Sequence, residues 1–369
     1  MSSNRSEGPT VRTSEGPRVR PHGHHFGLRG FARAFFWRLL QFLKFQIEPE
    51  YVNSASDPRT LGPSDPRTFG PMDPLTLKTH VHALAGEIGE RNLWRYSSLQ
   101  RAAEYIEAEL RSYGYAPSRQ TYEISRLPVS NIEAILPGRR AADAGALEGT
   151  AACADESLVI GAHYDTVEAC PGANDNATGV AALLDLARRF STRPMARTVR
   201  FVAFVNEEPP FFQTPQMGSV VYARAARSAG CRISGMLSLE TMGYYSDVPA
   251  SQQYPVEEMA SSYPDVGNFI GFVANEESRA LLETAARAFS DRTRFPLQAA
   301  AMPADLPGAG WSDHWSFWQS AYPALMVTDT APWRYPWYHT PGDTPDRIDF
   351  RKLAEVVDGL EQVVQVLGT

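Results

Sequence analysis

The sequence predicts an α/β protein with three layers, αβα, in which helices cover both faces of a mostly parallel central sheet. Two patterns lead to this prediction. Short apolar runs of strand length, among them residues 158–160, 198–205 and 235–239, alternate along the chain with stretches of helical periodicity. These same runs end in acidic or imidazole side chains, and open α/β sheets place their ligands at the carboxyl ends of strands.

Composition narrows the class of protein. The chain has 369 residues, enough for one large domain or two smaller ones, and its apolar and charged fractions are ordinary for a soluble protein. A net charge of −7 argues against nucleic acid as a partner, because no overall excess of Lys and Arg is present to neutralise phosphates. Without an early apolar signal segment or a run near the roughly 20 residues that a bilayer needs, we expect a cytoplasmic location.

The first 76 residues differ from the rest of the chain. Residues 1–30 are rich in Arg, Gly, Pro and Ser, which predicts a disordered tail. Residues 31–47 form a basic amphipathic helix pattern, and residues 56–77 repeat SDPRTLGP, SDPRTFGP and MDPLTL, which predicts a stiff arm. The segment 31–76 is therefore a candidate for peripheral membrane contact or homo-oligomer formation, although the apolar helix face can equally pack on the protein's own body.

A single catalytic domain is predicted over residues 77–369, and its first elements are a helix and strand material. Residues 99–113 carry apolar side chains at helical spacing, and Gly114 is a typical helix stop. Residues 122–136 alternate as a strand does, and a Pro-Gly pair ends them. The Ala-rich residues 139–156 are predicted to be an irregular connection.

Strands and helices then alternate to the end of the chain. Strands are predicted at residues 158–160, 198–205, 235–239, 268–273 and 322–327, where short runs are apolar. Helices are predicted at residues 177–190, 217–228, 276–289, 311–320 and 350–367, where the apolar spacing is helical. Between them, residues 244–264 are rich in Ser, Tyr and Pro and are predicted to be a long excursion.

Acidic and imidazole side chains follow the predicted strands in a repeated pattern. They are His163 and Asp165, then Glu207 and Glu208, then Glu240, with His339 on a later loop. In a parallel sheet all of them meet at one edge. Histidines with several carboxylates suit a borderline dication, Zn²⁺ above all, and a cation removes the repulsion among the carboxylates.

Five stretches of the chain extend this pattern into a family resemblance. GAHYDTV, PGANDNATG, VNEEP, SLETMGYY and WYHTPGDT, in this order, resemble the zinc aminopeptidases of family M28, from about residue 77 to the C-terminus. The resemblance implies a zinc-exopeptidase fold and two zinc ions that share a bridging hydroxide. It implies these ligands: His163 and Glu240 for one ion, Glu208 and His339 for the other, and Asp175 between the two.

The resemblance also implies two roles without direct metal binding. Glu207 would be the general base, and Asp165 would orient His163 from behind. Two positions depart from the commoner family pattern: Glu240 stands where many members have Asp, and Asn176 where a second acid is frequent. The Pro209-Pro210 pair after the two glutamates is unusual too and predicts a rigid rim.

Other residues are candidates for the surroundings of the site. Asp313 and His314 belong to WSDHWSF, a motif often seen before the last strand in the family, although Asp313 reads equally well as a helix N-cap. Tyr338 is placed to hydrogen-bond a tetrahedral intermediate. The tryptophans are dense enough here to line an apolar substrate pocket; they are Trp311, Trp315, Trp318, Trp333 and Trp337.

The sequence thus predicts a di-zinc aminopeptidase acting on peptides. Two alternatives stay open: a glutaminyl cyclase-like acyltransferase with one zinc, and a non-catalytic scaffold on the same fold. The three cysteines, Cys153, Cys170 and Cys231, are too few for a disulfide framework, and a pairing of Cys170 with either of the others stays open as well.

Overall fold

The computed structural model describes residues 72–139, 153 and 155–369, all of which belong to one compact unit. The predicted tail, nearly all of the 31–76 segment and most of the 139–156 connection lie outside the described residues. Among the helices in the described ranges, none has both the length and the apolar character needed to cross a bilayer.

Eight strands of the described chain form a single sheet with the order β1-β2-β4-β3-β5-β8-β6-β7. Their bounds are β1 Ser118–Ile124, β2 Leu127–Leu136, β3 Ser157–His163, β4 Thr198–Phe204, β5 Ile233–Glu240, β6 Ile270–Ala274, β7 Leu297–Ala301 and β8 Ala324–Thr328. The four central strands, β4, β3, β5 and β8, are parallel, whereas β2 and β6 run antiparallel to their central neighbours. The predicted mostly parallel sheet is therefore confirmed at its centre.

The order of the strands places a topological switch point at β3. From β3 the chain moves to β4 on one side and then crosses to β5 on the other side. Loops that leave neighbouring strands in opposite directions open a crevice at their carboxyl ends, where α/β proteins bind ligands. The carboxyl end of β3 is His163.

Helices cover both faces of the sheet, as the sequence predicts. They are α1 Pro74–Val81, α2 Tyr96–Ser112, α3 Thr178–Phe190, α4 Gly218–Ser228, α5 Glu257–Ala260, α6 Arg279–Arg292, α7 His314–Gln319 and α8 Phe350–Leu367. Successive side chains of a strand point to opposite faces. Accordingly Leu158 and Ile160 of β3 join the large core beneath α2, α3 and α8, whereas Val159 joins a smaller core with α4 and α7.

Two strand predictions differ from the structure. Residues 122–136 form a hairpin of β1 and β2 rather than one stretch, and the turn consists of Ser125 and Arg126 with φ of 50° and 68°. Two-residue turns usually take Gly or Asn at such φ values, so this turn carried no recognisable signal. Strand β7 was not predicted at all, because its sequence LQAAA has weak strand propensity.

The ordered part of the chain begins before the predicted domain boundary. Asp73 caps α1, and the Met72 amide donates to Asp358 Oδ1, so ordered packing includes residues ahead of position 77.

The cysteines pair in a way that the sequence did not indicate. A disulfide joins Cys153 to Cys231, while Cys170 is a free and buried thiol. The two pairings of Cys170 that the sequence left open are therefore wrong.

Candidate metal centre

The parallel strands bring the predicted ligands to one edge of the sheet. His163 is the last residue of β3, Glu240 is the last residue of β5, and Glu208 follows β4. Asp175 lies on the loop that leads into α3, and His339 lies on the loop between β8 and α8. All five predicted ligands therefore meet, although they are spread over 163–339 in the sequence.

Asp175 occupies the middle of this cluster, with one carboxylate oxygen facing each histidine. Its Oδ1 lies 3.3 Å from His163 Nε2, and its Oδ2 lies 3.0 Å from His339 Nε2. Each histidine then has a second carboxylate: Glu240 Oε2 is 3.3 Å from His163 Nε2, and Glu208 Oε2 is 3.3 Å from His339 Nε2. The five side chains thus form two groups that share Asp175.

The chemistry of these donors fits a metal cation. Ligand atoms of His163, Asp175 and Glu208 lie within 4.8 Å of one another, and all three residues are buried. Glu208 Oε1 is buried without a hydrogen-bond partner among the described residues, which is costly for a carboxylate unless a cation faces it. Imidazole nitrogen with carboxylate oxygen is a donor set that zinc accepts.

The pKa values report the same crowding of charge. Burial alone would raise the pKa of Asp175, but hydrogen bonds from His163 and His339 lower it below its ordinary value. Burial works against protonation of His339, yet Asp175 and Glu208 raise its pKa to about 10. Burial and the neighbouring Asp175 raise the pKa of Glu208 to about 8. The cluster therefore contains more carboxyl groups than the two imidazoles can balance if all of them are ionised.

Glu207, the predicted base, points into the cluster beside its neighbour. Its Oε2 lies 3.8 Å from His163 Nε2, so it is close to the predicted ligands without joining the contacts of Asp175. Burial raises its pKa well above the ordinary value, His163 lowers it, and the carboxylates of Glu208 and Glu240 raise it further.

Asp165 contacts the glutamate pair more closely than it contacts His163. Its two oxygens accept hydrogen bonds from the backbone amides of Glu207, at 3.1 Å, and Glu208, at 3.2 Å. His163 Nδ1 lies 3.6 Å from Asp165 Oδ1, which is longer than a hydrogen bond. In this arrangement Asp165 fixes the start of the loop after β4, where Asn206 has a φ of 58°.

Asp343 holds the loop that carries Asp175, and the sequence analysis missed it. Its carboxylate accepts the backbone amides of Asn174, at 2.8 Å, and Asp175, at 3.1 Å, while the Tyr335 hydroxyl donates to it. Because Asp343 and His339 share one loop, this contact ties that loop to the Asp175 loop. A signal was available, since Asp343 is the one acid of the stretch WYHTPGDT.

Asn176 has a structural reason for being an amide. Its Nδ2 donates to the Leu239 carbonyl at 2.8 Å, and its Oδ1 accepts the amides of Gly179 and Thr241. A carboxylate there could not donate to Leu239. Asn176 thus joins the loop of Asp175 to the end of β5, which carries Glu240.

Arg91 is a second residue that the sequence analysis missed. It is fully buried, and its guanidinium donates to the carbonyls of Tyr164, Pro171 and Gly172. The same group also donates to the carbonyls of Leu84, in the helical segment His82–Ile88 after α1, and of Gly89. Burial lowers its pKa to about 10, and nearby acids oppose the effect. A buried cation that grips the loop between residues 164 and 172 holds both Asp165 and Asp175 in place.

The WSDHWSF residues lie behind Glu240. Ser312 donates to Glu240 Oε2 at 2.8 Å, which fixes the orientation of that carboxylate. Asp313 is buried at the start of α7 but makes no side-chain capping bond, and burial raises its pKa to about 7. His314 packs against Trp318 and pairs with the Ala309 carbonyl, away from the predicted ligands.

An apolar pocket opens beside the cluster. Its empty volume is about 810 Å³, counting the part open to solvent, and Glu240 is the one carboxylate among its lining residues. The predicted excursion 244–264 supplies part of the wall. Of the five tryptophans named above, Trp311 and Trp333 line this pocket. Tyr338 lines it too, and its ring stacks on His339 at 3.8 Å.

Comparison with known proteins identifies the family of the chain. The sequence model of Peptidase family M28 matches residues 144–364. Over 292 residues the chain is 36% identical to the uncharacterised YfbL of Escherichia coli (strain K12), across 77% of this chain and 85% of that one.

Two solved structures share the fold. BSAP, a zinc aminopeptidase from Bacillus subtilis, superimposes with a TM-score of 0.62 at 15% identity, over 80% of this chain and 95% of that one. Fimbriiglobus ruber glutaminyl cyclase does so with a TM-score of 0.58 at 18% identity, over 84% and 99%. The predicted fold class and the predicted class of enzyme, a zinc-dependent peptidase, are confirmed. The chain belongs to peptidase family M28.

Proposed function

We propose that this protein is a di-zinc aminopeptidase that removes N-terminal residues from peptides. The observation that supports it most is the position of Asp175, whose two oxygens face different histidines at 3.3 Å and 3.0 Å. A carboxylate that binds a single cation needs to face only one of the two histidine groups, whereas one shared by two cations must face both. In this proposal His163 and Glu240 would hold one zinc, Glu208 and His339 would hold the other, and Asp175 would be a ligand shared by the two.

The protein's own groups then divide the work of hydrolysis. Zinc, when bound, supplies Lewis acidity that polarises the scissile carbonyl and lowers the pKa of water. Glu207 takes the proton from the attacking water on its carboxylate and passes it to the leaving amine. Asp165 keeps Glu207 in position through its backbone amide, so the direction of the base does not depend on the substrate.

In this proposal the substrate's N-terminus binds where the cluster meets the pocket. Glu240 lines the pocket and also belongs to the cluster, so a negative charge lies where a free α-ammonium group would enter. The remaining wall is mainly apolar and aromatic. We therefore expect a preference for large apolar N-terminal residues over small or charged ones.

The test combines metal analysis with a panel of aminoacyl-nitroanilides. We expect close to two zinc ions per chain and turnover of leucyl or phenylalanyl substrates. Glu207→Gln should keep the metal and abolish turnover, because only the proton carrier is removed. Glu168→Gln is the matched control: this exposed residue lies on the loop next to Asp165 and should leave both quantities unchanged.

Three outcomes would contradict the proposal in different ways. Loss of metal together with activity in Glu207→Gln would mean that Glu207 is a ligand rather than the base. One zinc per chain, with ammonia released from peptides that begin with glutamine, would favour the glutaminyl cyclase alternative. Metal-free protein without turnover of any substrate, even after zinc is added, would favour a non-catalytic scaffold.

A further inference from the structure

Two aromatic side chains form an exposed pair beside the metal centre. Trp94 and Phe211 stack with ring centroids 6.5 Å apart and an angle of 28° between the rings. Trp94 is 56% exposed, one of the few large apolar side chains in the described residues that face solvent. The stacked pair leaves aromatic area uncovered, which a ligand side chain can bury.

Phe211 follows the proposed ligand Glu208 in the chain, whereas Trp94, in the short helical turn Leu93–Arg95, is linked to the loop of Asp165 by hydrogen bonds. The Phe211 amide donates to the Glu208 carbonyl at 2.9 Å, and the intervening Pro209-Pro210 pair limits the freedom of that loop. The Trp94 amide donates to Asn92 Oδ1, and Asn92 in turn donates to the Thr166 carbonyl, one residue after Asp165. The pair therefore keeps a fixed position relative to the proposed ligand Glu208 and to Asp165.

In the order of the sheet, the strand that leads to Phe211 and the strands of the pocket lie on opposite sides of the centre. Phe211 follows β4, whereas strands β8, β6 and β7 supply the pocket's floor. In the sheet, β3 and β5 separate these two regions, and their ends carry His163 and Glu240. A peptide with its first side chain in the pocket and its first peptide bond at the centre would continue toward Trp94 and Phe211.

We propose that the Trp94–Phe211 pair binds the side chain of the residue that follows the scissile bond, and that it favours an aromatic or large apolar side chain there. This inference rests on the proposed aminopeptidase function. Burial of a ring on the pair removes apolar area from water, and offset aromatic contacts add to that gain. No charged group belongs to the pair, so small or charged side chains gain little from it.

Dipeptides separate this subsite from the pocket. Leucyl-phenylalanine and leucyl-glycine share the residue that enters the pocket and differ only in the residue after the scissile bond. We expect kcat/KM to be higher for leucyl-phenylalanine, because its second side chain can bind to the aromatic pair. Trp94→Ala should reduce this ratio by about 2- to 10-fold, the range for one aromatic pair, and should leave leucyl-glycine nearly unchanged. Phe211→Ala should act in the same direction. Leu75→Ala, an equally exposed apolar residue on α1, is the control.

A binding measurement keeps the test independent of turnover. Phenylalaninamide mimics the leaving fragment, and calorimetry should show tighter binding of it than of glycinamide to the zinc-loaded protein, with the difference lost in Trp94→Ala. If no dipeptide is cleaved but Trp94→Ala removes this difference, the proposed function fails and the subsite stands. If dipeptides are cleaved with a ratio that Trp94→Ala and Phe211→Ala leave unchanged, or if the two amides bind alike, or if their difference persists in Trp94→Ala because the ring binds in the pocket instead, the subsite is overturned.

Discussion

The acidic cluster and the apolar pocket share Glu240, yet they are built in different ways. The cluster takes three of its five proposed ligands from residues at the ends of the parallel strands β3, β4 and β5. The pocket takes its walls from the excursion after β5, from the loops around residues 302–311 and 328–333, and from the last two strands of the sheet, β6 and β7. The first region depends on the central fold, and the second depends on long connections.

This contrast separates what is required for the reaction from what sets its selectivity. Strand ends in a parallel sheet hold side chains rigidly, which suits groups that must meet within about 3 Å. Loops vary without disturbing the sheet, which suits a wall that selects a side chain. Changes in the cluster should therefore abolish metal binding and turnover, whereas changes in the pocket should alter preference and leave the metal in place.

The largest effect is expected from Asp175→Asn. This change removes the negative charge shared by His163 and His339, so we expect loss of zinc and a fall in kcat/KM of well over about 100-fold, more than the loss of an outer partner costs. Metal content and activity, measured together, check it. Asp305→Asn, exposed on a loop that lines the pocket, is the control. Retention of two zinc ions by Asp175→Asn would contradict the shared role of this carboxylate.

A smaller effect on the same region is expected from Arg91→Met. The loop between residues 164 and 172 loses the cation that its carbonyls surround, so its ligands are held less firmly. We expect zinc affinity to fall about 10- to 100-fold, as for other residues that orient ligands. Competition with a chelator measures it, and Arg111→Met on the exposed face of α2 is the control. Equal zinc affinity in Arg91→Met and wild type would show that the loop holds its shape without this residue.

The pocket side of the comparison is tested by Gly271→Val. A Cβ at Gly271 would lie 3.3 Å from the Thr328 carbonyl oxygen, so a larger side chain fits only by filling pocket space. We expect kcat/KM to fall by about 10-fold or more for leucyl and phenylalanyl substrates, and much less for alanyl ones. Zinc content should not change. Ala299→Val is the control: Ala299 lies on the neighbouring strand β7 and packs against the large core rather than lining the pocket. Equal losses for all three substrates would contradict a selective pocket.

A buried acid between the two regions gives a pH-dependent prediction. Burial raises the pKa of Asp329 from 3.8 to about 7, although the Asn174 amide and the Tyr244 backbone amide donate to it. A carboxyl group whose pKa is raised in the folded state makes the protein less stable as pH rises from about 4 through 7, because the unfolded chain ionises there and the folded one does not. Asp329→Asn keeps an acceptor for both donors but does not ionise. The melting temperature of this variant, relative to that of wild type, should therefore rise as pH increases from about 4 to 7. A difference that is constant with pH would contradict the assignment.

The smallest effect on catalysis is expected from removal of residues 1–70, which leaves Met72 and α1 intact. Because the site residues that the structure describes all lie at or after Arg91, peptidase activity should stay within about twofold of wild type. We propose that this segment, with its basic amphipathic helix pattern, serves membrane contact or oligomer formation. Sizing chromatography and vesicle flotation measure both. If neither elution nor flotation changes, that role is wrong.

The same contrast explains how far the sequence could be interpreted. The meeting of His163, Glu208 and Glu240 at one edge of the sheet can be predicted, since apolar runs and the residues that follow them are adjacent in sequence. Their roles as metal ligands come from the family resemblance and stay predictions. Arg91 and Asp343 were not predicted, because they act through backbone groups of loops that are distant in sequence. The pocket could be predicted only as a density of tryptophans, two of which line it, because the path of the excursion follows from tertiary packing.

The most direct test of the account is anomalous diffraction at the zinc edge from crystals of the zinc-loaded protein. We expect two peaks about 3.5–4 Å apart on either side of Asp175, one between His163 and Glu240 and one between His339 and Glu208. A single peak, or a peak that Asp175 does not touch, would contradict the shared carboxylate on which the proposed mechanism depends.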